Sequence, residues 1–230
     1  KIPFIVPGNQ LYLPDLGLDL REYFRQRSPT AQSALSPSAQ AMLITALLHQ
    51  PWQAEWQPST VAVALGYTPM TLSRVVKELT AAGLAAAYTV GRSRWLRMEQ
   101  PPQQTWERAK PLLRTPVKRT VWVLDEDPMA KQLGRLAGLS ALAHYSMLTE
   151  PRWPVYALSA TEWKAASDAG LQALPEPVAG AREWQVWSYS PALVPGAATV
   201  DPLSLTLSLQ GNADDRIQLA LDELKGQLPW

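Results

Sequence analysis

Cysteine is absent from the 230 residues, and only two histidines occur. The first absence excludes disulfides, zinc–thiolate sites and thiol catalysis, and it fits a reducing cytoplasm. No apolar stretch approaches the roughly 20 residues that a membrane-spanning helix needs, so no membrane partner is expected. No basic–apolar–small-residue pattern opens the chain, which argues against a secretory leader. Lys1 stands there without a methionine, and trimmed residues upstream are the expectation. A glycine-rich phosphate cradle and a His/carboxylate metal spacing are both missing, so no cofactor or metal is expected. Gly138-Leu139-Ser140-Ala141-Leu142 approaches a nucleophile elbow but lacks its second glycine. Asp125-Glu126-Asp127 could hold a divalent cation, though a solvated loop with Asp127 as helix cap is the plainer reading. His49 and His144 lie in apolar settings where packing is commoner than catalysis. The expectation is a chain that is not an enzyme.

Charge is distributed unevenly. Residues 1–149 carry 16 Lys and Arg against 10 Asp and Glu, whereas residues 150–230 carry 5 against 10. A basic first part suits a polyanionic partner, and the acidic last part does not.

Three segments follow from the punctuation of the chain. Residues 1–35, broken by Pro3, Pro7 and Pro14, read as short strands with a short helix over 19–26. Residues 36–100 open on Ser36-Pro37, a cap followed by a first-turn proline. A helix runs to Pro51, and a loop with Trp52 and Trp56 follows. Ser59 or Thr60 caps a second short helix, and Thr68-Pro69 repeats the cap-plus-proline start. Leu72, Val75, Val76 and Leu79 give the third helix an i, i+3, i+4, i+7 stripe, and Gly83 ends it. Leu84–Thr89 and Arg94–Met98 flank a turn signal and form a hairpin. Residues 101–230 mix helical and strand patterns. A helix covers Trp106–Leu113, and strands cover Val121–Leu124, Pro154–Leu158 and Glu183–Tyr189. A helical stretch runs from Asp127 to about Met147, with an interruption near Gly138. Ser159 and Glu162 spell a capping box, and Asn212–Leu224 is a terminal helix. Leu203, Leu205, Leu207 and Leu209 alternate like a strand, yet Asp201-Pro202 starts a helix, so both readings stay open.

Helix, helix, helix and hairpin is the order of a winged helix-turn-helix. At about 100° per residue, Met70, Arg74 and Lys77 lie opposite the apolar stripe, flanked by Thr71 and Ser73. Arg92, Ser93 and Arg94 occupy the hairpin tip, and Arg97 lies further along its strand. Such side chains read base edges and hold phosphates, so double-stranded DNA is the expected partner. Arg108, Lys110, Arg114, Lys118 and Arg119 add a second basic run. Trp153, Trp163, Trp184 and Trp187 cluster in the acidic part, either as core or as an aromatic pocket.

Residues 59–98, STVAVALGYTPMTLSRVVKELTAAGLAAAYTVGRSRWLRM, resemble the winged helix of MarR-type regulators. The runs LRTPVKRTVWV, AGLSALAHYSML, PVYAL and VDPLSLTLSLQGNADDRIQLALDEL are similar to the C-terminal part of AbiE-type antitoxins. Those resemblances imply a cytoplasmic bacterial regulator that controls its own operon beside a nucleotidyltransferase-like toxin. The expected architecture is thus α/β (α+β): a DNA-binding winged helix followed by a mixed α/β domain. That domain would bind a ligand, a partner protein such as a toxin, or a second subunit in a homodimer. The alternative is a winged-helix interaction module that neutralises a partner by direct contact, without DNA.

Overall fold

The computed structural model describes residues 34–124, 133–228 and 230, together with the backbone of 4–6, 10–13 and 18–21. The chain divides into two compact units, 1–33 and 34–230. In the first, β1 (Phe4–Val6), β2 (Gln10–Leu13) and β3 (Leu18–Arg21) form an antiparallel meander in that order. The helix expected over 19–26 is therefore corrected at its start. Leu18-Asp19-Leu20-Arg21 alternates with a period of two and pairs as a strand along β2. Residues 22–26, and with them the rest of that expected helix, lie outside the described residues.

Residues 34–230 form a mixed α/β unit. Among the described residues it has eight α-helices, a three-stranded antiparallel sheet and a four-stranded mixed sheet. Its centre is α1 (Pro37–Leu48), capped by Ser36, whose hydroxyl accepts the Ala39 N–H at 3.3 Å. Ala39, Ala41, Met42, Leu43, Ile44, Ala46 and Leu47 are all buried, so α1 is covered on most of its circumference. β4 (Glu55–Trp56) lies where a loop was expected, and its two residues pair with the hairpin. α2 (Pro58–Ala64) begins earlier than the expected cap at Ser59 or Thr60. Gln57 is the cap, without a side-chain bond, and Pro58 presets the first helical φ. α3 (Pro69–Ala81) starts at the expected Thr68 cap and ends at Gly83, whose φ of +65° suits glycine. β5 (Ala85–Val90) and β6 (Ser93–Met98) complete the hairpin, and β4 extends its sheet to the order β4-β6-β5.

Beyond it come α4 (Pro102–Ala109) with a 3₁₀ turn at Lys110–Leu112, and β7 (Val117–Leu124). β8 (Arg135–Leu136), α5 (Gly138–Tyr145), β9 (Val155–Ser159), α6 (Ala160–Asp168) and β10 (Ala181–Trp187) follow. The second sheet has the order β7-β10-β9-β8, with β10 parallel to β9 and the other pairs antiparallel. The described part of the stretch expected as helix from Asp127 is corrected: Arg135 and Leu136 pair with Ala157 and Tyr156 before α5 starts. The capping box at Ser159 and Glu162 forms as expected.

α7 (Pro202–Leu209) and α8 (Asp215–Gly226) close the chain. The open reading of 202–209 resolves to helix. Asp201 Oδ1 caps it by accepting the Ser204 N–H at 2.8 Å. Both faces are buried, so no apolar stripe shows in the sequence. Its Thr206 and Ser208 hydroxyls donate to the carbonyls of Pro202 and Leu205, which lets polar side chains enter the interior.

One apolar core runs from Leu35 through α1, α3 and α4 to α5, α7 and α8, so the helix–hairpin part and the later chain share an interior. A second, smaller core of Val123, Leu158, Trp163, Ala166, Leu171, Trp184 and Val186 lies under α6. Gln40 joins the parts inside the larger core. Its amide donates to the Arg114 carbonyl at 2.8 Å and accepts the Arg114 N–H at 2.9 Å. The remaining amide proton goes to the Tyr189 hydroxyl at 3.2 Å, which meets Ser204 Oγ at 2.9 Å. Leucine at position 40 leaves the Arg114 carbonyl and N–H without these partners at the edge of the interior, and removes one of the two partners of the buried Tyr189 hydroxyl. Gln40→Leu should therefore lower the unfolding free energy by about 2–3 kcal/mol in urea denaturation, and an unchanged midpoint would show the network to be dispensable.

Candidate nucleic-acid interface

The outward face of α3 is set by the inward one. Val75, Val76 and Leu79 are buried and Leu72 is half-buried, which turns Met70, Arg74 and Lys77 to solvent. Met70 is 67% exposed, a large apolar side chain left on an otherwise polar and basic face. The Arg74 guanidinium lies 3.9 Å from Met70 Sδ, one helical turn away. Thr71 is drawn into the cap, with its hydroxyl 3.1 Å from that of Thr68 and its N–H on the same oxygen. Ser73 is half-buried on the flank that faces the hairpin.

Glu78 is the one acidic residue of α3, and its position decides the sign of the exposed face. Its carboxylate accepts the Ser36 N–H at 2.8 Å, at the start of α1. There it meets the positive end of a helix dipole. The contact fixes α3 against α1 and removes the acid from the side where Arg74 and Lys77 stand.

Across from α3, the hairpin turns in two residues, Gly91 and Arg92, between the paired Val90 and Ser93. Gly91 has φ of +61° while no other residue type among those described has a positive φ, which is the pattern of a type II′ turn. The tight turn brings Arg92, Ser93 and Arg94 to α3. Together with Ser73, Pro69 and Ser59 they line a cleft of about 290 Å³. Ser59 belongs to this cleft although its sequence position reads as a helix cap. The useful signal was Pro58, which starts the helix one residue earlier and leaves the Ser59 hydroxyl outside the cap.

Arg97 stands apart from this group. Residues 94 and 97 differ in parity along β6, so they leave opposite faces of the hairpin. Arg97 Nε donates to Glu55 Oε1 at 2.7 Å, and the Tyr88 hydroxyl donates to Glu55 Oε2 at 2.8 Å. The guanidinium also lies over the Tyr88 ring, 5.4 Å from its centroid. The second basic run is similarly drawn into local contacts. Lys110 pairs with Glu107 at 3.0 Å, Arg114 donates to the Leu113 carbonyl, and Arg119 lies over Trp163. The Arg108 guanidinium packs over Gly83, where an added Cβ would stand 2.7 Å from Nη2.

The positions set aside for catalysis are occupied by structure. Ser140 is fully buried and its hydroxyl accepts the Val155 N–H at 3.0 Å. His49 Nδ1 lies 3.1 Å from the Pro51 carbonyl, and the His144 ring meets Tyr145 edge to face. Among the described residues no group of three or more His, Asp or Glu is placed to hold a metal, and no helix is long and apolar enough to cross a membrane. Asp125-Glu126-Asp127 lies outside the described residues. Searches of family models, curated proteins and solved structures find no match to this chain.

The exposed Glu55 contact gives a test of local geometry. Its carboxyl is held below the ordinary glutamate range, first by the Tyr88 hydroxyl and then by Arg97. A depressed carboxyl contributes stability above its unfolded pKa and loses that contribution as pH falls through the folded value. In a carboxyl-carbon NMR titration Glu55 should titrate below the ordinary range, and Tyr88→Phe and Arg97→Gln should each raise it. An ordinary midpoint in the parent chain would mean that the contact does not persist in solution.

Proposed function

We propose that the chain is a sequence-specific double-stranded DNA-binding regulator acting through a winged helix-turn-helix formed by α1 to β6. The observation that carries this reading is the exposed face of α3. Arg74, Lys77 and Met70 face solvent there, the one acid is withdrawn to α1, and Arg92 and Arg94 stand across a cleft from Ser73. A major groove about 12 Å wide admits such a helix. Arg74 pairs with a guanine edge, Lys77 holds a phosphate, and Met70 meets an apolar base edge such as a thymine methyl. Ser73 and Thr71 flank the base contacts, while Arg92, Ser93 and Arg94 follow the neighbouring backbone or minor groove. Arg97, already paired with Glu55, contributes less than its charge suggests.

The resemblance to AbiE-type antitoxins extends this reading to autoregulation of a toxin–antitoxin operon in a bacterial cytoplasm. The chain after residue 100 would then contact a toxin or a second copy. One observation favours a second reading, a protein-interaction module without DNA. An apolar groove of about 480 Å³ lies between α1, α2, β6 and the 192–195 loop, lined by Trp56, Val61, Leu65, Trp95 and Leu193.

Fluorescence anisotropy separates the two readings, using a duplex from upstream of the protein's own gene and a scrambled duplex. The Arg74→Ala/Lys77→Ala pair should weaken binding to the first by about 10- to 100-fold, at roughly 1–3 kcal/mol for a lost base contact, and reduce discrimination between the two. Arg92→Ala should weaken both duplexes alike. Unchanged affinity in the double variant would remove α3 from the groove.

A further inference from the structure

A cleft of about 440 Å³ opens on the four-stranded sheet, away from the α3 and hairpin residues. Of the tryptophans clustered in the acidic part, Trp163, Trp184 and Trp187 are buried core, whereas Trp153 lines this cleft. Trp122 on β7 joins it. The two indoles meet edge to face, with centroids 5.5 Å apart and planes at 68°, and so form a corner. Glu183 on β10 is the cross-strand partner of Trp122, and Gln185 follows two residues along the same face. Asn212, just after α7, lines the cleft as well.

The chemistry of this corner is asymmetric. Glu183 is half-buried, receives a hydrogen bond from Gln185, and forms no ion pair among the described residues. Burial raises its carboxyl above the ordinary range. Gln185 is itself buried, with its oxygen committed to Trp187 Nε1 at 3.2 Å. A partly desolvated carboxylate beside two π-faces favours one kind of guest, a cation that brings its own apolar body. Arg152 also lines the cleft, and its guanidinium lies 4.6 Å from the Trp153 centroid, so one wall already carries a cation of this chain and a guest competes with it there. The volume suits a small molecule rather than a chain segment.

We propose that this cleft binds a small organic cation, an ammonium group on a compact apolar body, with Glu183 as counter-ion and Trp122 and Trp153 as walls. The assignment stands apart from the duplex-binding reading and does not need it. Benzylammonium and its neutral counterpart benzyl alcohol, titrated into the full chain, test it by calorimetry and by NMR of the indole N–H resonances. Trp122→Phe and Trp153→Phe identify the relevant signals. Benzylammonium should bind saturably at one site and shift those two resonances, and benzyl alcohol should not. Glu183→Gln should weaken binding by about tenfold or more while its thermal midpoint stays near that of the parent. No saturable binding, equal binding of the alcohol, shifts confined to other indoles, or an unaffected Glu183→Gln variant would each overturn the proposal. Should Glu183→Gln fail to fold, the comparison of cation and alcohol on the parent chain decides.

Discussion

The Gln40 amide holds together two stretches of chain that sequence order keeps far apart. It exchanges two hydrogen bonds with the main chain of Arg114, as a neighbouring strand would, and passes a third to Tyr189. Each of these groups lies in or at the edge of a dry interior, where an unmade hydrogen bond costs more than a made one returns. Because α1 carries this amide on one side and packs against α3 on another, the sheet of the later chain and the outward helix are referred to the same element. The Glu78 contact with the Ser36 N–H completes that reference. The orientation of α3 is thus set by its apolar packing on α1 and by the Glu78 carboxylate at the start of α1, while Gln40 ties the same helix to the later chain.

The consequence for charge is more specific than the overall balance of the chain. Ten basic residues lie between 74 and 119, and their roles diverge once they are placed. Arg97, Lys110, Arg114 and Arg119 are engaged by carboxylates, carbonyls or rings. Arg74 and Lys77 stand on the exposed α3 face, and Arg92 and Arg94 on the hairpin tip across from it. A concentrated surface of this kind, rather than net charge, is what counterion release from a duplex requires.

Much of this was legible in the residues. Ser36-Pro37, Thr68-Pro69 and the Ser159–Glu162 pair are local chemistries with local outcomes, and they place helix starts to the residue. The stripe of α3 fixes its exposed face before any tertiary contact is known. Other features depend on partners that sequence order hides. β4 is two residues long and exists only because β6 runs beside it. Leu18–Arg21 and Arg135–Leu136 likewise became strands through pairing. The Leu–Ser–Thr alternation of 203–209 imitates a strand because a helix buried on both faces has no stripe to show, and the Asp201 cap decides the matter. The separation of Arg97 from Arg94 could have been read from their spacing of three in a strand. Its cause, Glu55, lies in an element that could not. Trp153 looks no different in sequence from the three buried tryptophans, and its edge-to-face contact with Trp122 at the cleft sets it apart.

The most direct measurement is the salt dependence of duplex binding by the unaltered chain. If Arg74, Lys77, Arg92 and Arg94 each neutralise a phosphate or stand close to one, the logarithm of the association constant should fall with the logarithm of salt concentration at a slope of about −3 to −4. Binding that is weak and equally indifferent to salt and to sequence would contradict the account, and the exposed face of α3 would then belong to a protein contact.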